Sequence, residues 1–344
     1  MLRILSRLIT YYGLLVVFFI SHHLKAASFE CTEENMQGSV DRLLCINPSL
    51  SELDEKMAIR YKSSFIALNP KARVELLKSQ RGWLIAWPQK CLKSLELPEF
   101  NQLMTREFIE CAQKEYNDRL SLLEVKTIGR FKTFTVAKYA NVKVKQDWIP
   151  ATYKAVDHQL TYPQVDVDTT SSVTEPINQW ILQTLRKFSL KNRANLNEDD
   201  VISNLDIELS QQVKDIYSIC IRYTFYGFGA HPNTVIQRYQ WLDGLNRQLR
   251  FNDIFMNTLW VENITEKIVA EFTKKYEGMF LVSDQNVIQN AILDLTHWEI
   301  GKEGLTLHFM PYELTAYAAG SPEFFIPKNV LEKYLTAFAL EQMQ

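Results

Sequence analysis

Apolar side chains recur every three to four residues through the first third of the chain, and every second residue in much of the remainder. Leu50, Leu53, Met57, Tyr61, Phe65 and Leu68 fall on one helical stripe, with Asn47-Pro48-Ser49 as a start signal and Asn69-Pro70 as a stop. Leu76, Leu77, Gln80, Trp83, Leu84 and Trp87 predict a second helix that ends at Pro88. Phe108, Ala112, Tyr116, Leu120 and Leu123 predict a third, and residues 35–45 suit a short leading helix.

Near residue 126 the period changes. Residues 131–136 and 162–165 read as strands, and Thr174–Phe188 as a helix with Ile177, Trp180, Ile181, Leu185 and Phe188 on one side. Residues 189–204, rich in Asn and Asp, read as a loop. Ile216–Tyr226 is the clearest strand. Its Tyr217, Ile219, Ile221, Tyr223 and Phe225 alternate with Ser218, Cys220, Arg222 and Thr224, so Cys220 lies on the polar face, where a helix is expected to shelter it. Thr234–Leu242 is a second strand, Asp243-Gly244 a turn, and residues 248–251 continue the sheet. Leu259–Tyr276 and Asp284–Leu293 predict helices. Trp298–Ile300 and Leu305–Met310 predict a hairpin, Phe324–Ile326 a short strand and Asn329–Met343 a closing helix. Interleaved strands and helices with short turns predict an α+β fold whose sheet is mainly antiparallel. The expected organisation is a small helical module over 27–125 and a mixed α/β domain over 126–344, with a leading segment to 213 and a core from 214.

The first 26 residues follow neither pattern. Arg3 and Arg7 precede the uncharged 13-residue run Leu8–Ile20, and Ala26-Ala27-Ser28 supplies small residues. At ~1.5 Å per residue that run falls short of a ~30 Å hydrocarbon core. This is the layout of a secretory signal peptide cut after Ala26, and it predicts a periplasmic or secreted protein. Cys31 follows Ser-Phe-Glu rather than a small-residue lipobox, which argues against a lipoprotein. No later run is apolar and long enough to span a membrane. Cleavage removes Arg3, Arg7 and Lys25 and no acid, leaving 35 basic against 40 acidic side chains, a net charge of −5. A nucleic-acid partner is not expected. In an oxidising compartment Cys31, Cys45, Cys91 and Cys111 read as two disulfides, with Cys220 left over. Three pairings are possible. The adjacent one, Cys31–Cys45 and Cys91–Cys111, fits the helix layout.

Two sets of motifs carry resemblances. Cys31 with Cys45, Leu53-Asp54 with Tyr61, Gln80-Arg81-Gly82-Trp83 before Cys91, and Cys111 with Tyr116 and Arg119 together resemble the LprI-type lysozyme-inhibitor family over most of residues 29–124. Ala86-Trp87-Pro88 stands where that family usually shows an aromatic-Arg-Asp step. Gly229-Ala230-His231-Pro232-Asn233, then Leu249 to Phe255, then Phe309 to Glu313 with Tyr317 to Gly320 and Ile326-Pro327, resemble the extracellular domain of RsiV-type anti-sigma factors over most of 130–340. Tyr162-Pro163 with Ile177-Asn178 resembles the segment that commonly precedes it. A similar domain accompanies some peptidoglycan deacetylases as a non-catalytic partner. Unlike RsiV, this sequence shows no sigma-binding region or membrane anchor.

Candidate chemistry is sparse. His158, His231, His297 and His308 remain after cleavage. No HExxH, zinc-type Cys/His spacing, Gly-x-Ser-x-Gly elbow or phosphate-binding glycine fingerprint is present. No cofactor or metal is expected. Glu198-Asp199-Asp200 reads as a solvated helix start, and Asn263-Ile264-Thr265 is a sequon placed in a helix. His231 lies in a loop after a strand, where ligand contacts concentrate. His231, Pro232 and Asn233 form one candidate contact loop; Tyr312, Glu313 and Tyr317 form the other. The bland reading of both is that the imidazole holds its turn and the tyrosines pack.

Two modules resembling two lysozyme-binding families imply a non-enzymatic, exported protein that binds and inhibits a lysozyme or related peptidoglycan hydrolase by occluding its cleft. The alternative is an envelope module that binds peptidoglycan or a wall enzyme without inhibition. A hydrolase using His231 with an acid such as Asp253 is a third, weaker expectation.

Overall fold

The computed structural model describes residues 28–34, 36–92, 100–143, 155–166, 175–187, 202–226, 231–282 and 284–344. The signal-like segment and Glu198-Asp199-Asp200 lie outside them. The fold is α+β, with a mainly antiparallel sheet and two disulfides in the N-terminal region. The chain divides into two compact units: Met1–Ile59 with Pro98–Asn117, and Arg60–Leu97 with Asp118–Gln344.

Among the described residues five helices precede the first strand: α1 (Ser39–Ile46), α2 (Pro48–Ala67), α3 (Pro70–Leu92), α4 (Phe100–Leu103) and α5 (Arg106–Leu122). An Asn-Pro pair starts two of them by the same device. Asn47 Oδ1 accepts the Leu50 N–H at 3.1 Å, and Asn69 Oδ1 accepts the Ala72 N–H at 2.9 Å. The proline sits at the first helical position, where its missing N–H costs nothing. Asn69-Pro70 therefore ends α2 and begins α3. The expected stop at Pro88 is wrong: α3 continues through it to Leu92, with Pro88 buried.

In the first unit Leu43, Leu50, Met57, Leu103, Phe108 and Ala112 are buried. Asp54, also buried, accepts the Ser28 N–H at 2.9 Å and the Tyr116 hydroxyl at 3.0 Å. Burial, then the charge of Asp54, push the neighbouring Asp41 carboxyl above its ordinary value. The Cys31–Cys45 disulfide ties the N-terminal stretch to α1, and Arg42 lies 4.5 Å over the Phe100 ring. Cys91 and Cys111 are disulfide-bonded as well.

The second unit is built on a seven-stranded sheet in sequential order, β1 (Lys126–Ile128), β2 (Phe131–Lys143), β3 (Ala155–Val165), β4 (Ile202–Val213), β5 (Ile216–Tyr226), β6 (Asn233–Leu242) and β7 (Arg247–Gln248). Every neighbour pair is antiparallel except β3–β4, whose parallel register runs from His158↔Ser203 to Thr161↔Asp206. A parallel step needs a crossover, and α6 (Glu175–Lys187) lies within it. Asn178 fastens that helix to the sheet, its amide bonding both the N–H and the C=O of Val165 at 2.9 Å. Trp180 stacks on Trp241 at 5.1 Å. Helix α3 packs on β2: Ser79 Oγ accepts the Ala137 N–H at 2.9 Å, and buried Trp83 and Trp87 stack along the helix. Gln80 accepts from Arg119 Nε at 2.9 Å; burial lowers the pKa of this 1 % exposed guanidinium. Gln80 and Trp83 of the Gln-Arg-Gly-Trp motif thus serve internal packing.

The C-terminal part adds α7 (Phe251–Ile254), α8 (Val261–Lys275), α9 (Gln285–Leu293), a three-stranded antiparallel sheet of β8 (Trp298–Gly301), β9 (Gly304–His308) and β10 (Glu323–Pro327), then α10 (Lys328–Leu331) and α11 (Ala337–Gln342). Ile264, Ile268 and Phe272 of α8 face the core, as the stripe predicted, and Thr265 is buried in that helix. Phe255, Trp260 and Trp298 form the aromatic centre, with Phe255 edge-on to Trp298 at 5.3 Å. Two expectations need correction. Residues 248–251 do not all extend the sheet: Asp253 accepts the Arg250 N–H at 2.7 Å and starts α7 at Phe251. The closing helix is broken, because Phe255 bridges to Leu335 and Thr336 donates its N–H to Ile254 at 2.9 Å. Thr336 then caps α11.

Candidate functional site

Strand β6 begins two residues after His231, so the His231-Pro232 turn is delivered at a strand end. The second candidate loop leaves β9, turns at residues 310–313, and returns through a short 3₁₀ turn at Tyr317–Ala319 to β10. Gly320 closes that turn at φ +74°, ψ −147°, a conformation open to glycine alone. Residues 279–281 brace the loop from behind. Leu281 donates its N–H to the Leu314 carbonyl at 2.9 Å, and Ala316 donates to Met279 at 2.8 Å.

The two loops meet. His231 stacks on Tyr317 with ring centroids 3.7 Å apart and planes within 10°. Tyr312 lies over the same pair, 6.3 Å from His231 and 5.5 Å from Tyr317. The Pro232 carbonyl is the common anchor: it accepts the Tyr317 hydroxyl at 2.9 Å and faces His231 Nδ1 at 3.1 Å. That contact places the hydrogen on Nδ1, so Nε2 is the acceptor for the Tyr312 hydroxyl at 3.3 Å. The result is an aromatic clasp of two tyrosines and an imidazole, closed by hydrogen bonds to one proline carbonyl.

Tyr312 is the exposed member, at 57 %, and holds φ +69°. A non-glycine residue in that region costs about 1–2 kcal/mol and persists only where its surroundings over-determine it. Strain under an exposed ring is therefore separable from folding. We expect Tyr312→Gly to unfold within about 1 kcal/mol of the parent, relief of strain offsetting lost contact and chain entropy. Tyr312→Ala, which keeps the strain, should be less stable than Tyr312→Gly. Urea denaturation of the three proteins checks the order, and an alanine variant as stable as the glycine one refutes the strain.

The remaining predicted residues behave differently. Asn233 starts β6 and pairs with Phe225 in the sheet. Glu313 turns inward: its Oε2 accepts the Met310 N–H at 2.9 Å and lies 3.2 Å from Nε2 of buried His297. Asp253 is held by a bidentate Arg247 at 2.7 and 2.8 Å, which keeps its carboxyl below the usual range against partial burial. Its bonds are those of a structural clamp. Burial raises the Cys220 thiol, and the charged side chains around it, Arg238, Arg222, Glu208 and Glu299, stand on strands. His308 bridges Glu299 at 2.7 Å and Glu323 at 2.9 Å, joining all three strands of the small sheet. Among the described residues no group of three His, Cys, Asp or Glu side chains is placed to hold a metal ion, and no helix is long and apolar enough to cross a membrane.

Comparison with known proteins adds a match over part of the chain. Residues 252–329 match DUF3298, a family described as a protein of unknown function. That stretch runs from α7 to α10 and contains Tyr312, Glu313 and Tyr317 but not His231. Similar solved structures are a DUF3298 family protein from Pseudomonas aeruginosa PAO1 (14 % identity, TM-score 0.44, 61 % of this chain and 96 % of that one) and a DUF3298 member from Bacteroides fragilis NCTC 9343 (16 %, 0.42, 64 % and 99 %). No curated protein matches the sequence.

Proposed function

We propose that this is an exported, non-enzymatic binding protein whose contact surface is the His231–Tyr312–Tyr317 clasp, and that its partner is a lysozyme-type muramidase. The observation that carries the reading is the meeting of two loops, each a contact candidate by itself, in one exposed stack under a strained tyrosine. Tyrosine supplies broad amphipathic contact at low entropic cost, and such residues dominate binding energy at protein interfaces. The choice of partner rests on the LprI-like and RsiV-like motifs. Export is supported by the signal-like leader and by disulfides, which belong to oxidising compartments. A muramidase works with two carboxylates across an open cleft. A protruding loop that fills the cleft excludes the polysaccharide, and a net −5 chain approaching a basic enzyme binds faster at low salt.

The test is a titration of hen-type, goose-type and invertebrate-type lysozymes with the protein, reading binding and residual muramidase activity together. Stoichiometric loss of activity toward one type is expected. Tyr312→Ser with Tyr317→Ser should weaken that binding at least about tenfold, a loss of ~1.4 kcal/mol. Unchanged affinity in the double variant overturns the clasp as the contact surface. A second reading, binding of wall glycan, is favoured by the same ring faces, because the C–H face of a sugar stacks on an exposed aromatic. Sedimentation with purified sacculi, in the absence of any lysozyme complex, would select it.

A further inference from the structure

The loop that presents Tyr312 has a buried support whose charge is adjustable. His297 lies in the 3₁₀ turn Leu295–His297, 3 % exposed, with Phe309 5.8 Å from its ring. Its Nδ1 is 2.8 Å from the Ala291 carbonyl of α9, so that nitrogen carries hydrogen in either charge state. Its Nε2 faces Glu313 Oε2 at 3.2 Å. The same oxygen accepts the Met310 N–H, Glu313 returns its own N–H to the Met310 carbonyl at 3.1 Å, and Tyr312 donates its N–H to Thr315 at 3.1 Å. The turn at Tyr312 is thus closed around one carboxylate, which lies 3.2 Å from the Nε2 of the buried imidazole.

We infer that His297 and Glu313 are positioning residues for the clasp, keeping residues 310–317 in the conformation that presents Tyr312 while His297 carries its second proton. This rests on the clasp being the contact surface. The charged groups facing His297 are Glu313 from the loop and Asp294 from its own turn; α9 contributes the Ala291 carbonyl. Loss of the Nε2 proton leaves a lone pair against a carboxylate in a poorly solvated site, and attraction becomes repulsion. The Ala291 bond anchors the imidazole, so the loop is the part that yields. A residue at φ +69° is retained only under full constraint.

Burial works against the imidazolium, but the bond and charge of Glu313, the Ala291 carbonyl and Asp294 together outweigh it and hold His297 above its ordinary 6.5. A raised folded value means that the stabilisation is complete below the ordinary value and is lost as the pH rises through the folded one. The clasp is tightest below the ordinary histidine value and loosens as the pH rises through the raised value of His297.

The experiment follows the ring signals of the histidines and of Tyr312 and Tyr317 by NMR in the whole protein from about pH 5 to about pH 9, spanning the histidine range. Both tyrosines are expected to shift with the midpoint of His297. In Glu313→Gln the His297 midpoint should fall and the tyrosines should cease to follow it. The unsubstituted protein alone decides the matter should a variant fail to fold. Tyrosine signals that stay still through the His297 titration, or that follow His231 alone, overturn the inference. A protein that shows the coupling yet binds no muramidase overturns the partner and leaves the positioning role standing. A binder whose tyrosines ignore His297 does the reverse.

Discussion

Replacing Trp298 with alanine is expected to destabilise the second unit by roughly 3–5 kcal/mol, the range for deleting a large buried aromatic. Three roles converge on this residue. Its ring is fully buried and meets Phe255, Phe251 and Trp260 at 5.3, 5.8 and 6.5 Å. Its indole N–H donates to the Ile292 carbonyl at 2.7 Å, fixing the end of α9. Its carbonyl accepts from Gln240 at 2.6 Å, joining β8 to β6 of the large sheet. A cavity at this point separates α9 from both sheets. Trp298→Phe keeps most of the volume but strands the Ile292 carbonyl, so a smaller loss of about 1–3 kcal/mol is expected. Urea denaturation of both variants tests the argument. An alanine variant that loses less than about 1 kcal/mol would mean that the site collapses freely and the aromatic centre is not the keystone described.

The second large effect belongs to the first unit. Cys31→Ser with Cys45→Ser is expected to cost roughly 3 kcal/mol, the chain-entropy value for a loop of about 15 residues. The bridge spans 14 positions. The apolar core there is small, so the crosslink is a larger share of its stability than it would be in the sheet unit. With the bridge gone, the Ser28 bond to Asp54 is one of the contacts that remain to hold the N-terminal stretch in register. Protease cleavage near residue 30, compared between variant and parent under oxidising conditions, reads the loss directly. Equal protection refutes it.

Helices and hairpins were legible wherever local chemistry decides the outcome. The stripe through Leu50 and Met57, the alternation in β5 and the hairpin of Trp298–Ile300 with Leu305–Met310, which turns between Gly301 and Gly304, all reappear at their expected places. Gly304 shows why that turn is so strongly marked: a Cβ there would collide with the Ile326 carbonyl of β10. The misses share a cause. Strand β4 carries its signal in Leu205, Ile207 and Leu209, but Asn204, Asp206 and Glu208 between them resemble the polar run before it. Their polarity reflects an open sheet face, not a loop. Pro88 was read as a stop, yet packing buries it and carries α3 one further turn. The closing helix was broken by partners around 80 positions away, at Ile254 and Phe255.

The site divides in the same manner. His231 and Tyr317 were each conspicuous in their own loop, but nothing in either segment says that their rings stack across 86 positions. Glu313 looked like an acidic contact for a basic partner. Its inward turn depends on His297, a buried residue that the sequence offered no reason to single out. The signal was present only as a pair, a buried histidine after an Asp-capped turn and an acid beside a strained tyrosine.

The packing of α3 against β2 bears on how the protein is to be dissected. A fragment cut where the sequence changes period, at residue 126, would carry the whole sheet and the clasp, yet lack Ser79, Gln80 and Trp83. The Ala137 N–H would lose its acceptor, because Ser79 lies on the discarded side. Such a fragment would expose the part of β2 that α3 covers, and its aggregation would be mistaken for a missing contribution from the N-terminal cysteines. Deletion boundaries drawn at helix ends, and point substitutions within the intact chain, are the instruments suited to assigning activity to either part.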